Sequence, residues 1–384
     1  MSRTKKIIIF QRIFSHYREV VFTRLARKYD FNLFLSGINL DIVQKSADYS
    51  KVVGYFRYGK SPGNIFMFGF SDILRIKPDI VIYEGAVGIL SLPFTILFCK
   101  MLGIKFVVWA HAINSKDRYS KNISIKTHIK WIYMRVADAV IVYSNSGKAL
   151  LPKYINAQKV FVASNTLNMD KLSEIKEQLE KSGKSEIKRK VGFQHRYNLI
   201  FIGRMLKEKK PSVLFDVFQN LPENIRQQTA IHFVGEGECK DSLVKKAERD
   251  VYKTHFVFHG EILDEYITGE LLYASDLMVM PGYLGLSINH AFAFGCPVCS
   301  FAPGKSGPFH SPEVEYLKND QTGILVEENS VKEMAKHIAN YLPDEPKQLR
   351  FKKNIAKCVR EECSLDKMIS GFDSCVNFLF PEDS

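Results

Sequence analysis

Two stretches in the second half of the chain combine residue types that can hold an anion. The first is Ile200 to Pro211, IFIGRMLKEKKP. An apolar strand ends at Gly203, Arg204 follows at once, and Lys209 precedes a helix opened by Pro211, a residue suited to a first helical turn. This order puts two cations at the carboxyl edge of a sheet, where parallel α/β folds bind their ligands. Arg and Lys there would stabilise the charge that develops on a departing nucleoside diphosphate. A solvated basic loop has the same composition, so the stretch does not stand alone.

The second stretch is Met280 to Ser300, MPGYLGLSINHAFAFGCPVCS. Pro281-Gly282 ends a strand, and Gly285 permits close backbone approach. A helix then starts near Leu286 or Ser287, so its free amides and positive dipole end face a ligand. Gly295 closes the helix and Pro297 stops it. His290, one turn in, reads either as a packed histidine or as a ribose or phosphate contact. Gly235-Glu236-Gly237 follows another strand and also reads as a plain turn. His259, past the strand 255–258, completes the ligand-side set with Gly203.

Candidates in the first half lie at strand ends. His111 follows the strand in VVWAHA, residues 107–112, and Glu84-Gly85 follows the strand 79–83. After the first strand comes QRIFSHYR, residues 11–18, with His16 and Arg18. Arg18 suits a phosphate or carboxylate on an acceptor; a helix-start cation in solvent is the bland alternative.

The elements that must position these residues alternate in type. Strands are predicted at 7–10, 31–35, 79–83, 106–110 and 139–143, with helices at 17–28, 88–101 and 125–136. The alternation restarts with strands at 199–202, 231–234, 255–258, 277–280, 297–300 and 324–326. Helices are expected at 211–220, 238–249, 288–294 and 331–341. Such alternation argues for parallel sheets covered on both faces. The charged segment 171–190 breaks the pattern and suggests a boundary near its end. The expected organisation is an N-terminal Rossmann-like domain over 1–188 and a C-terminal one over 189–364. A last helix, about 365–384, packs back on the first. The α/β sheets of the two domains would face each other across a cleft.

Taken together, these spacings resemble the retaining family 4 glycosyltransferases, which have the GT-B fold. The resemblance covers most of the chain. That family carries Gly-Arg-Leu with a Lys six residues after the Gly; here Gly203, Arg204 and Lys209 match, with Met205 for Leu and Lys210 where Gly is usual. The family also carries a pair of glutamates eight positions apart, ending in Glu-Ala-Met-Ala-x-Gly-x-Pro-Val. Aligned on Gly295-Cys296-Pro297-Val298, the second glutamate falls on His290 and the first on Gly282. This chain is therefore a variant without the paired Glu motif. The resemblance implies a donor site at Arg204, Lys209 and Gly285 to Ser287. It gives His111 a place at the donor sugar and reaction centre, and it puts His16, Arg18 and Glu84 on the acceptor side.

Composition narrows the function classes. The chain has 384 residues, 46% hydrophobic and 25% charged, as in ordinary globular proteins. No apolar run is long enough for a membrane span or a signal-peptide core, so a cytoplasmic location is expected. The seven cysteines are scattered. Cys296 to Cys299 spells C-x-x-C at a helix-to-strand junction, the wrong place for a redox pair, and nothing completes a zinc site. The first 190 residues hold 32 basic and 14 acidic residues, the remainder 22 and 27. A basic first domain meets something anionic. No nucleic-acid signature accompanies it, and peripheral contact with the inner, anionic face of the cell membrane fits it.

The expected activity is transfer of a sugar from a UDP-, GDP- or dTDP-sugar to a glycan or lipid-linked acceptor, in cell-surface polysaccharide or glycolipid assembly. No cofactor is expected, and the lack of any Asp-x-Asp argues against a divalent metal. The alternatives are a non-catalytic nucleotide-sugar-binding partner of a glycan-assembly complex, suggested by the missing glutamates, and a GT-B sugar-nucleotide epimerase.

Overall fold

The computed structural model describes residues 3–37, 45–61, 63–327 and 330–381. It divides into two compact units, residues 1–165 with 365–384 and residues 166–364.

The first unit is built on a parallel sheet. Its strands are β1 (Lys6–Gln11), β2 (Asp30–Leu35), β3 (Ser50–Val52), β6 (Ile80–Glu84), β7 (Lys105–Trp109), β8 (Ala139–Val142) and β9 (Val160–Val162), in the order β3-β2-β1-β6-β7-β8-β9. A separate antiparallel hairpin joins β4 (Tyr55–Arg57) to β5 (Ile65–Met67). The helices are α1 (Glu19–Lys28), α2 (Phe70–Ile76), α3 (Ser91–Met101), α4 (Ile125–Val136) and α5 (Asn145–Ala149). The central strands are near-continuous apolar runs because both faces of the sheet are covered. Ile8, Phe10, Val81, Tyr83 and Val108 pack on one face. Ile7, Ile9, Ile82, Val107 and Trp109 pack on the other, against Leu365, Met368 and Phe372 of the C-terminal helix Leu365–Leu379. The register pairs Gln11 with Leu35 and Glu84 with Trp109. The residues that follow these pairs therefore gather at one carboxyl edge.

The second unit opens with α6 (Met169–Ser182) and α7 (Lys184–Lys190), in the segment expected to be a break. The division accordingly falls between Asn165 and Thr166, not after 188. The physical reason is a stripe, Met169, Leu172, Ile175 and Leu179, at helical spacing and buried in the second core. Counting large apolar residues hid this stripe among the charges. The sheet comprises β10 (Tyr197–Ile202), β11 (Thr229–Val234), β12 (Phe256–Gly260), β13 (Leu277–Val279), β14 (Val298–Phe301) and β15 (Gly323–Val326), in the order β12-β11-β10-β13-β14-β15, all parallel. The helices are α8 (Val213–Gln219), α9 (Glu223–Arg226), α10 (Lys240–Glu248), α11 (Glu265–Ala274), α12 (Ser287–Ala293), α13 (Val331–Tyr341) and α14 (Glu345–Glu361). Order reverses at β10, whose neighbours β11 and β13 lie on opposite sides. Gly203 and Arg204 leave the sheet at this switch point, where such folds bind ligands.

Candidate active-site residues in each unit

In the second unit three loops are locked together by backbone contact. Gly203, Gly235 and Gly237 have φ of +126°, +128° and +146°, which side-chain-bearing residues rarely adopt. A Cβ on Gly235 would collide with the carbonyl of Gly203, and one on Gly237 would sit 2.8 Å from Met205 N and O. The amide of Met205 donates to Glu236 O at 2.7 Å, and that of Cys239 to Met205 O at 3.0 Å. Glu236 itself pairs with Lys240.

This lock holds the loop that carries the two cations. A short 3-10 turn, Lys207–Lys209, ends at Lys210 with φ +51°, a left-handed position that glycine takes most easily. Arg204 is exposed and Lys209 half-buried. The Lys209 ammonium lies directly over Gly203, 2.5 Å from where a Cβ would stand. Burial and the neighbouring Arg204 charge push the Lys209 ammonium down to about 8, against a weaker pull from Glu208. Two cations short of counter-charge form a receptor for an anion.

The turn after β13 seats on the same loop. Gly282 N donates to Lys209 O at 3.0 Å and Tyr283 N to Glu208 O at 2.8 Å. A Cβ on Gly282 would overlap Glu208 O and the Lys209 backbone. The close approach within the chain is thus made at Gly282. Gly285 has ordinary φ, and a Cβ there would meet the Tyr283 ring at 3.3 Å and Ser311 Cβ at 3.7 Å, both side chains. Leu286 caps α12 without a side-chain bond, Ser287 starts it, and His290 lies half-buried within it. The Ser287 hydroxyl has no hydrogen-bond partner among the described residues.

His310, in the loop that follows β14, is buried. Its Nδ1 accepts from Leu284 N at 3.0 Å, and its Nε2 donates to Phe301 O at 2.9 Å. It tethers the ligand-side turn to β14.

His259 joins through Gly260, whose carbonyl accepts from Gly235 N at 2.7 Å. Its tautomer follows from its neighbours. Asn198 Nδ2 donates to His195 O at 2.8 Å, which turns Asn198 Oδ1 toward His232 Nε2 at 3.1 Å. His232 Nε2 therefore carries the proton. Burial and the nearby His259 push His232 down to about 3, so its Nδ1 is a lone pair. His259 Nε2, 3.1 Å away, must donate to it. Burial lowers His259 as well, leaving its Nδ1 as an acceptor.

The cysteine pair is inert. Cys296 and Cys299 are free and buried, and burial pushes the Cys296 thiol up to about 12. No group of three His, Cys, Asp or Glu among the described residues is placed to hold a metal ion.

In the first unit the strand ends open onto a cavity of about 580 Å³ whose walls include Arg12, Arg18, Glu84, His111 and Lys130. Arg12 clasps Glu84: its backbone N donates to Oε2 at 3.0 Å and its Nε to Oε1 at 2.8 Å. Burial alone would raise the Glu84 carboxyl, but the Arg12 guanidinium holds it below its ordinary value. Arg18 donates to Gln11 Oε1 at 3.2 Å and to Tyr143 Oη at 3.0 Å, with its guanidinium 4.6 Å from the Trp109 ring centre. Lys130 is buried, donates to Asn114 Oδ1 at 2.8 Å, and is pushed down to about 8 by burial. Asn114 in turn donates to Asp117 at 3.2 Å.

His111 opens onto the cavity, 4.7 Å from the Tyr143 ring centre. The surrounding walls, then Lys130 and Arg18, push its imidazole down to about 4, so it is neutral at pH 7. Three donors at this cavity, Gln11 Nε2, Arg18 Nε and Trp109 Nε1, have no partner among the described residues. The cavity thus offers positive charge to an oxygen-rich ligand.

His111, Arg18 and Glu84 are brought together; His16 is exposed, meets the Tyr17 ring edge-on and does not line the cavity. Sequence reasoning missed Arg12 and Lys130. Arg12 had a signal, since it follows the first strand as Arg204 follows a later one. Lys130 had none, as one lysine on an amphipathic helix.

Residues 183–358 match the family model described as Glycosyl transferases group 1. The uncharacterized glycosyltransferase MJ1069 of Methanocaldococcus jannaschii is 22% identical over 248 residues, or 64% of this chain and 60% of that protein. The chain thus spans about three-fifths of that relative's length. Solved structures cover the whole fold. Anabaena Alr3699/HepE in complex with UDP superposes with a TM-score of 0.67 at 15% identity over 97% of this chain and 100% of that one. A glycosyltransferase from Rickettsia africae gives 0.70 at 16% identity over 99% and 100%. WaaG, a glycosyltransferase involved in lipopolysaccharide biosynthesis, gives 0.65 at 13% identity over 98% and 100%. The protein has the GT-B fold. Its residues 183–358, which hold the Arg204–Lys209 loop, are the part similar to the glycosyl transferases group 1 family.

Proposed function

We propose that the protein is a retaining, metal-independent glycosyltransferase of the family 4 type, moving a hexose-like sugar from a nucleotide diphosphate sugar to a glycan or lipid-linked acceptor. Cell-surface polysaccharide or glycolipid assembly, at the inner face of the membrane, is the setting. The observation that carries this reading is the Lys209 ammonium seated on Gly203 beside Arg204, inside the part similar to the group 1 family. Arg204, Lys209 and the start of α12 would hold the leaving diphosphate. The bond from the anomeric carbon to the phosphate oxygen breaks, the acceptor hydroxyl bonds that carbon from the same face, and its proton passes to the leaving phosphate. Neutral His111 suits a hydrogen bond to a sugar hydroxyl better than an ion pair. The absence of Asp-x-Asp supports independence from divalent metal. Because HepE was captured with UDP, UDP-sugars are the first donors to try.

The decisive experiment is a thermal-shift screen of UDP-, GDP- and dTDP-sugars with and without a chelator, since a ligand that binds the folded state raises its melting temperature. A shift with one nucleotide class, unchanged by the chelator, is expected. No shift with any of them would remove the reading.

The Lys209 ammonium sets a pH dependence. A bound diphosphate raises its pKa, so binding near pH 8 takes up a proton and weakens as pH rises further. Calorimetry of UDP in two buffers of different ionisation heat should show net uptake near pH 8, and an affinity flat from pH 7 to 9 would contradict it.

The first-unit cavity suits an acceptor bearing a phosphate, a carboxylate or several hydroxyl oxygens. Arg18→Gln removes its guanidinium and should lower transfer by about 10–100-fold, the worth of a charged hydrogen bond. UDP affinity should stay unchanged, and an equal loss of both would place Arg18 elsewhere. The second reading, a non-catalytic nucleotide-sugar binder, is favoured by Gly282, where no carboxylate can stand. Donor binding without transfer or hydrolysis across acceptors would establish it.

A further inference from the structure

The β4–β5 hairpin and the outer sides of α2 and α3 carry an apolar surface that no other described segment covers. Phe56, Phe68 and Phe94 are 45%, 50% and 54% exposed, and Leu97 and Met101 are 61% and 75% exposed. These are not scattered residues. Phe56 stacks on Phe66 with ring centres 5.3 Å apart, and Phe66 meets Phe68 at 5.3 Å and Phe94 at 6.0 Å. On α3, Phe94, Leu97 and Met101 follow the spacing of one helix face, while Leu92, Ile96 and Cys99 fill the core behind it. Single exposed apolar side chains are ordinary, but a joined aromatic and aliphatic patch marks a docking surface.

Charge selects the occupant. No acidic residue occurs between Glu84 and Asp117. Between Ser50 and Asp79 the one acid is Asp72, and it is held by Lys51 and Arg75 at 2.8 Å each. Arg57, Lys60, Lys77 and Lys100 are exposed on the same elements and form no ion pair with a described residue. A second copy of the chain would set these cations against their own kind. An anionic bilayer accepts both parts: rings and aliphatic chains enter its interfacial layer and the cations meet its headgroups.

We propose that this face docks the protein on an anionic lipid bilayer, with Phe68, Phe94, Leu97 and Met101 entering the interface and Arg57, Lys60 and Lys100 lying on the headgroups. This deepens the membrane side of the proposed function and does not depend on the transfer chemistry. The hairpin also connects the two sites. Its Tyr58 and Asn64 line the acceptor cavity, and Tyr58 Oη donates to Gly88 O at 3.2 Å. Docking therefore brings one wall of that cavity to the lipid surface, where a lipid-linked acceptor presents its head.

The test is co-sedimentation of the full chain with phosphatidylcholine vesicles containing or lacking phosphatidylglycerol, at low and high salt. Sedimentation with the anionic vesicles, weakened by salt, is expected. Phe94→Asp with Leu97→Asp should lower partitioning roughly tenfold or more, by removing apolar burial and adding repulsion. Both positions are exposed, and an unchanged melting curve confirms folding. Lys60→Glu with Lys100→Glu, which touches no apolar group, should weaken binding to anionic vesicles only. Arg204→Ala should sediment like the parent, which separates this proposal from the donor-site reading. The proposal is overturned if the parent stays in solution with both vesicles, if the aspartate variant sediments equally well, or if the patch instead drives a dimer that this variant dissolves.

Discussion

Arg204→Ala is expected to lower turnover by roughly 10²–10³-fold, the effect of removing one preorganised donor aimed at developing charge. Arg204 is exposed at the carboxyl end of β10, and its charge acts on the neighbouring Lys209 ammonium. A diphosphate leaving group gains negative charge as its bond to the sugar breaks. A guanidinium in place therefore acts more strongly in the transition state than in the ground state. The loss should appear chiefly in kcat, with a smaller rise in the donor KM. Removing Arg204 also relieves the charge that depresses Lys209, so the pH at which UDP binding weakens should move upward. A variant with near-normal kcat would sink the assignment of roles, and one that loses only affinity would make Arg204 a ground-state contact.

The second large effect concerns Gly282, where the resemblance to family 4 enzymes would place a carboxylate. Gly282→Glu would supply the carboxylate that this resemblance implies, yet a loss rather than a gain is expected. Any Cβ at 282 overlaps the Glu208 carbonyl and the Lys209 backbone, neither of which can swing aside as a side chain would. Forcing such a contact should destabilise the second unit by about 3–5 kcal/mol. For a unit of this size that is a fall in melting temperature of roughly 10 °C. Donor binding should fail with it, because Gly282 N holds Lys209 O. Gly282→Ala should behave the same way. Gly285→Ala is the control: its Cβ would meet only side-chain atoms, of Tyr283 and Ser311, among its nearest neighbours, and its φ is ordinary, so folding should survive. A Gly282→Glu protein that folds normally and turns over faster would mean that the Lys209 loop has an alternative seat.

Several elements were legible because their signals are local. Ile125–Val136 and Val331–Tyr341 are helices over the expected residues. The apolar runs became parallel strands because a run with no polar alternation must be buried on both faces. The short strands β3, β4, β5 and β9 have three residues each, too few for a periodic pattern. The helices at 169–190 were hidden for a different reason, since a single buried stripe was outnumbered by charges.

Of the ligand-side residues, the sequence by itself determined the types and their order: strand, Gly203, Arg204, then Lys209 before a helix, and a glycine turn before α12. Those follow from chain-local rules, that glycine tolerates positive φ and that cations at strand ends meet ligands. Which residue sits on which was decided only by tertiary structure. Gly203 is open so that the Lys209 ammonium can rest on it, and Gly282 is bare because the Lys209 loop already fills its Cβ position. The same holds in the first unit, where parallel register brings Glu84 beside Arg12 from 72 residues away and turns His111 toward Lys130 and Arg18. Register, burial and the charge of neighbours distant in sequence set these pairings, and no spacing along one chain encodes them.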